Sequence, residues 1–295
     1  MAEAPLNASL IDYLKALPQY LMPGHLISRL TRAFTRLRQP WIKNRFTAWF
    51  IGHFRVDMDE ALENDPHAYE HFNAFFTREL KPGVRPIVEG DEELACPVDG
   101  AVSQACAISD GRIFQAKGHD YSLEQLLGGT AERACPFHGG SFATIYLSPR
   151  DYHRIHMPLS GILREMVHVP GRLFSVNPAT TRVIPGLFAR NERVVTLFDT
   201  TVGPMAMILV GAVNVGSIET VWAGEVTPPA GRVVRAWHYE GEEAITLEKG
   251  AEMGRFNMGS TVILVFGPDA VELAEAIKPG APVRLGQLLA TAKKK

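Results

Sequence analysis

A glycine followed by a serine at the mouth of an apolar strand is the most reactive-looking feature of this chain. The segment Gly254-Arg-Phe-Asn-Met-Gly259-Ser260-Thr261 runs directly into Val262–Phe266. An ordinary turn accounts for it, but two chemistries compete with that reading. Asp99, His156 and Ser260 occur in the order Asp, His, Ser and could form a hydrolase triad. Alternatively, Ser260 could attack its own upstream peptide bond. Gly259 suits such an attack, because it leaves its carbonyl unshielded and tolerates strained backbone angles. No G-x-S-x-G elbow surrounds the serine, which weighs against the hydrolase.

The other chemical residues lie upstream. Asp99 stands in Cys96-Pro-Val-Asp99-Gly100, where a turn aspartate is the commonest use of the residue. His153 and His156 are three apart in Tyr146-Leu-Ser-Pro-Arg-Asp-Tyr-His153-Arg-Ile-His156-Met-Pro158, and histidine is the natural proton carrier near neutrality. No third Cys or His ligand accompanies them, so no metal is expected. Ser175 and Asn177, in Gly171-Arg-Leu-Phe-Ser-Val-Asn-Pro178, could line a pocket.

These residues need a scaffold, and the composition supplies one. The chain has 295 residues, 46% apolar and 21% charged, which suits one large domain or two small ones around a true core. Its net charge of −2 nominates no polyanionic partner, and nucleic acid is not expected. The cysteines, Cys96, Cys106 and Cys135, are odd in number and lack C-x-x-C spacing, which suggests a reducing compartment. The start carries acids early and reads as no signal peptide. Thr200–Ile218 is uncharged, but its glycines, Pro204 and β-branched residues describe buried strands rather than a membrane span.

Local charge is less balanced than the total. From Tyr13 to Val56 there is no Asp or Glu, against Lys15, Arg29, Arg32, Arg36, Arg38, Lys43, Arg45 and Arg55. Leu10, Ile11, Leu14 and Leu17 repeat at helical spacing up to Pro18. Leu26, Ile27, Leu30, Ala33, Phe34 and Leu37 do so up to Pro40, and an aromatic stretch, Trp41 to Phe54, follows. Basic residues opposite Leu, Phe and Trp predict helices lying on an anionic membrane surface. Residues 1–56 are therefore read as an amphipathic helical membrane-association region.

From Asp57 on, a short helix is predicted over roughly 66–80. Beyond it come short strands: 101–108, 112–116, 142–148, 162–169, 193–200, 205–213 and 260–267. Turn signals separate them, among them Asp110-Gly111 and Pro229–Gly231. The predicted class is α+β: a mainly antiparallel β catalytic body with an N-terminal amphipathic helical membrane-binding region.

Five segments, in order, carry a resemblance: FFTRELKPGVRPI (75–87), PVDGAVS (97–103), YLSPRDYHRIHMP (146–158), GRLFSVNP (171–178) and GRFNMGSTVILVF (254–266). Together the chain resembles the phosphatidylserine decarboxylase family, pyruvoyl-dependent and of proteobacterial type. That family's cleavage tetrapeptide is usually Leu-Gly-Ser-Thr; here Met258 replaces the leucine, a change that keeps volume and apolarity. The resemblance implies that Asp99 orients His156, which deprotonates Ser260 for attack on the Gly259 carbonyl. The resulting ester eliminates, leaving a β chain of residues 1–259 (region 1–56 plus body 57–259) and an α chain of residues 260–295. The α chain then begins with a pyruvoyl group derived from Ser260. Through a Schiff base to that ketone, phosphatidylserine would lose CO₂ to become phosphatidylethanolamine, with no metal involved. His153 would be the proton donor or a headgroup contact, with Ser175 and Asn177 as further headgroup contacts. The α and β chains would stay together as a heterodimer, and two such units could pair as a homodimer. The enzyme would sit peripherally on the cytoplasmic side of the inner membrane. Deleting residues 1–56 is expected to weaken vesicle binding more than self-cleavage.

Overall fold

In the computed structural model the described residues are 9–116, 118–215, 217–228 and 232–294. Residues 1–8, with Glu3 of the early acids, and the Pro229–Gly231 turn therefore lie outside them.

The front end forms three helices. Helix α1 (Leu10–Ala16) begins with a capping box, in which Ser9 and Asp12 each accept the other's backbone N–H, and it ends where Pro18 enters a 3₁₀ turn. Asp12 also accepts two bonds from Arg182 of the body, at 3.0 and 3.1 Å, so this acid pins the helix down. Leu10, Ile11, Leu14 and Leu17 remain exposed. Helix α2 (Gly24–Thr35) exposes Leu26, Leu30 and Phe34, while Arg32 and Arg36 both bind Glu225 of the body. Helix α3 (Pro40–Phe54) starts on a proline at its first turn, where a missing N–H costs nothing, and stops at Arg55, whose φ is 56°. It exposes Trp41 and Trp49 but buries Phe50. No helix among the described residues is long and apolar enough to cross a membrane.

Helix α4 (Phe72–Phe76) is shorter than the pattern over 66–80 suggested. Local side chains take the flanking backbone: Asp65 accepts the N–H of His67, His71 caps Ala74, and the Thr77 hydroxyl donates to the Asn73 carbonyl. Its phenylalanines join those of α3 in a separate aromatic cluster containing Phe50, Phe72, Phe75 and Phe76, with Phe46, Phe54 and Met258 packed on it.

The body is mostly antiparallel sheet, as expected. A nine-stranded sheet runs in the order 235–238, 161–169, 193–200, 203–210, 261–266, 141–146, 100–107 and 282–283, with 245–247 also on 161–169. The strand Thr261–Phe266, wholly buried, lies in its middle, paired residue for residue with 203–210 and 141–146. Strands this apolar are sandwiched on both faces, which explains the uncharged run from Thr200. A four-stranded sheet packs beside it, in the order 224–227, 218–220, 252–256 and 154–156. The link 257–260 carries the chain from the smaller sheet into the centre of the larger one. That crossing places Ser260.

Candidate active site

Ser260 is fully buried at the entrance of the central strand. Its carbonyl accepts the N–H of Leu147 at 2.8 Å, and its hydroxyl donates to the carbonyl of Val210. The strand 154–156 pairs with 252–256, and one step further the N–H of Phe256 bonds the carbonyl of His153 at 3.0 Å. This ladder brings the His153 ring against Gly259. A Cβ built on Gly259 would lie 3.0 Å from His153 Cδ2 and closer still to Nε2. Glycine is thus required at 259 by close approach of an imidazole. The left-handed backbone falls instead on Met258, with φ 106°, so the residue that carries strain is not the glycine.

His153 is wholly buried. Its Nδ1 lies 2.8 Å from the carbonyl of Asp151, which can only accept, so Nδ1 holds the proton. Nε2 is then a bare lone pair, buried without a partner and aimed at Gly259. Burial, aided by the nearby Arg78 cation, holds the ring's pKa down to about 3. Phe76 packs on the same ring with centroids 4.0 Å apart.

His156 has different company. Its Nδ1 donates to the carbonyl of Gly250 at 2.8 Å, and Nε2 accepts from the Tyr152 hydroxyl at 3.1 Å. Burial lowers its pKa and raises that of Tyr152, which keeps the phenol a donor and the imidazole neutral. Asp99, at the head of strand 100–107, accepts a bidentate grip from Arg85 at 2.9 and 2.7 Å and the N–H of Leu285 at 2.8 Å. Arg85 also donates to Glu60 at 2.6 Å. Asp99, His156 and Ser260 are therefore not joined in a hydrogen-bonded chain, whereas His153 and Gly259 are in contact.

A cavity of about 220 Å³ opens beside the Gly259–Ser260 bond, walled by Phe50, Phe76, Tyr146, Ser175, Met258 and Gly259 among others. Ser175 thus faces the site. Asn177 does not line it: its carbonyl oxygen caps the helix Pro178–Val183 through Ala179 and Thr180, and its amide donates to Ser175. An Asn immediately before Pro is a helix-cap signal, and it wins here.

The sequence reading missed several residues. Arg85 lies inside a segment it singled out, but nothing in the sequence pairs it with Asp99. Asn257, 2% exposed, donates to Ser217 and Glu219 and accepts from Asn73, which fixes the link just before the strained Met258. An asparagine two residues before the Gly-Ser pair was the available signal. Phe76 entered only as part of the predicted helix over 66–80, and nothing in the sequence singles out Tyr152.

The class of molecule is thus an antiparallel β protein with a histidine-backed Gly-Ser bond buried between two sheets. A family model described as phosphatidylserine decarboxylase matches residues 72–291, and a second, described as PSD, matches residues 14–55. The "phosphatidylserine decarboxylase proenzyme" of Stutzerimonas stutzeri (strain A1501) is 60% identical over 283 residues, 95% of either chain. Proteins of the same description from Pseudomonas putida (strain GB-1) and Shewanella amazonensis (strain ATCC BAA-1098 / SB2B) are 61% and 58% identical. They cover 92% and 94% of this chain, and 95% and 98% of their own. The chain belongs to the phosphatidylserine decarboxylase family. It is accordingly an enzyme, a decarboxylase.

Proposed function

We propose that this chain is a proenzyme that cuts itself between Gly259 and Ser260, and that the new α chain decarboxylates phosphatidylserine to phosphatidylethanolamine. The observation that carries this reading is the bare Nε2 of His153 set against the glycine of a Gly-Ser bond whose serine is fully buried. In the first reaction the Ser260 hydroxyl attacks the Gly259 carbonyl. The C–N bond breaks, a C–O ester forms, and the serine proton passes to the freed nitrogen through a base. Loss of the Cα proton then expels the Gly259 carboxylate. Dehydroalanine is left at 260; its imine tautomer takes up water and releases ammonia. The pyruvoyl group so formed would supply a ketone that condenses with the substrate amine and takes up the electrons left by CO₂.

The site fits such a group. Position 260 is buried away from water, and His153 is at hand to return a proton to the reacting carbon. Ser175, on the cavity wall, would meet the polar headgroup. The α chain has reason to stay bound after the cut, because its first strand is hydrogen-bonded on both sides by β-chain strands.

The base for the first attack has two candidates. The family pattern assigns it to His156 with Asp99 behind it, which requires Tyr152 to release His156 Nε2. The contact with Gly259 favours His153. A hydrolase fits less well, because no G-x-S-x-G elbow surrounds Ser260. The hold of Arg85 and Leu285 on Asp99 weighs equally on the Asp99–His156 pairing in either reaction.

The exposed leucines of α1 and α2, and Trp41 and Trp49 of α3, support a peripheral seat on an anionic bilayer that still holds the substrate's acyl chains. The test is a denaturing mass measurement together with CO₂ release from phosphatidylserine vesicles. Wild type should give two chains and CO₂, and S260A one chain and none. A wild type that stays whole overturns the proposal. H156A whole beside a cleaved but inactive H153A assigns the attack to His156; the reverse assigns it to His153.

A further inference from the structure

Met258 combines two features that the chemistry above does not use. It holds a left-handed φ of 106°, where a side chain with a Cβ is strained. Its side chain also packs on the aromatic cluster built by α3 and α4. The same cluster also reaches Gly259 itself, since Phe76 packs on His153 and His153 touches Gly259. Phe50, at the centre of the cluster, contacts Phe72, Phe75 and Phe76 and walls the cavity together with Met258 and Gly259. One aromatic block therefore grips the residue before the bond and braces the imidazole on it.

We propose that Met258 and the α3–α4 aromatic cluster form a clamp that positions the Gly259–Ser260 bond for self-cleavage. This rests on the self-cleavage proposed above. Met258 is a positioning residue: it touches no reacting atom, but sets the direction in which the chain enters the bond. The strain persists because packing overrides it, and Asn257 anchors the chain one residue earlier. Cutting the bond frees the clamped end. It also creates a carboxylate on Gly259 within an aromatic wall, which is costly unless the end swings out to water. Departure of that end opens the cavity towards His153 and position 260.

A consequence is that the front end divides. The inner face of α3 belongs to the processing machinery, whereas the outward faces of α1 and α2, with Trp41 and Trp49, are left to serve the membrane surface. Separating the two roles therefore takes substitutions on the outward faces rather than deletion of residues 1–56, because Arg32 and Arg36 hold Glu225, and Glu225 accepts from Ser217, the partner of Asn257.

The experiment follows cleavage of freshly synthesised chain over time for wild type, M258L, M258A, M258G and F50A. M258L should cleave within about twofold of wild type, since it refills the contact. M258G accepts φ 106° without strain and has nothing to grip. It should be slowed about tenfold or more, a barrier change of about 1.4 kcal/mol. F50A should be slowed similarly. Hydroxylamine, which cuts an ester but not a peptide bond, supplies a readout that loss of stability does not move. If the clamp serves the attack, M258G yields no hydroxylamine-sensitive precursor. M258G cleaving at the wild-type rate, or accumulating ester, overturns the clamp. Thermal midpoints in the S260A background separate misfolding from misplacement; should M258G fall, the comparison of M258L with M258A decides by the same rates. A wild type that never cleaves overturns the proposed function and the clamp with it; a wild type that cleaves beside an equally fast M258G overturns the clamp alone.

Discussion

His153 is neutral and buried in the precursor, and this has a measurable thermodynamic consequence. Its pKa is held to about 3, against an ordinary 6.5. The unfolded chain therefore binds a proton below pH 6.5 that the folded chain refuses until about pH 3. Its contribution is full above pH 6.5 and is lost as the pH falls from there towards 3. Each pH unit in that window costs about 1.4 kcal/mol. Between pH 6.5 and 5 this one ring removes about 2 kcal/mol. With a urea slope near 3 kcal/mol/M, the midpoint falls by about 0.7 M. Other groups titrate as well, His156 in the same direction, so the informative quantity is a difference. S260A keeps the precursor whole, and S260A/H153Q removes only the ring in question. Urea unfolding of both at pH 7 and pH 5 should show the second losing about 2 kcal/mol less between the two pH values. Parallel losses would mean that His153 takes up its proton in the folded state, and the argument for a bare lone pair on Gly259 would fall.

Other outcomes follow from the same geometry. Removing one partner of the buried Asp99–Arg85 pair strands a charge, so R85L should cost about 3–5 kcal/mol in urea unfolding of the S260A form. R85L/D99L should recover a large part of that. In G259A the new methyl group meets His153, so a gel should show uncut precursor even with Ser260 intact; efficient cleavage would show that the ring gives way. L26S/L30S, changed on the exposed face of α2, should reduce co-sedimentation with phosphatidylserine vesicles and leave the rate of cleavage as it was.

Much of this molecule can be read along the chain, for a physical reason: the signals are local. Helices α1, α2 and α3 follow from apolar spacing interrupted by Pro18 and Pro40. The strands follow from β-branched runs between turns, and Gly259-Ser260 stands out because so few residue pairs can undergo such a rearrangement. Helix α4 came out shorter because competing side-chain bonds at His71 and Thr77 outweigh periodicity. Partnership across the fold was not local. Asp99 and Arg85 meet only through strand and loop packing. Asn177, expected as a headgroup contact, turns out to cap a helix once its neighbours are placed. The two histidines are chemically alike in sequence, but the ladder between 154–156 and 252–256 turns one towards Gly259 and leaves the other on Tyr152 and Gly250. The sequence by itself determined which residues could react. Tertiary structure decided which of them touch, because burial, hydrogen-bond partners and an unpaired lone pair are properties of the packed chain and not of any segment of it.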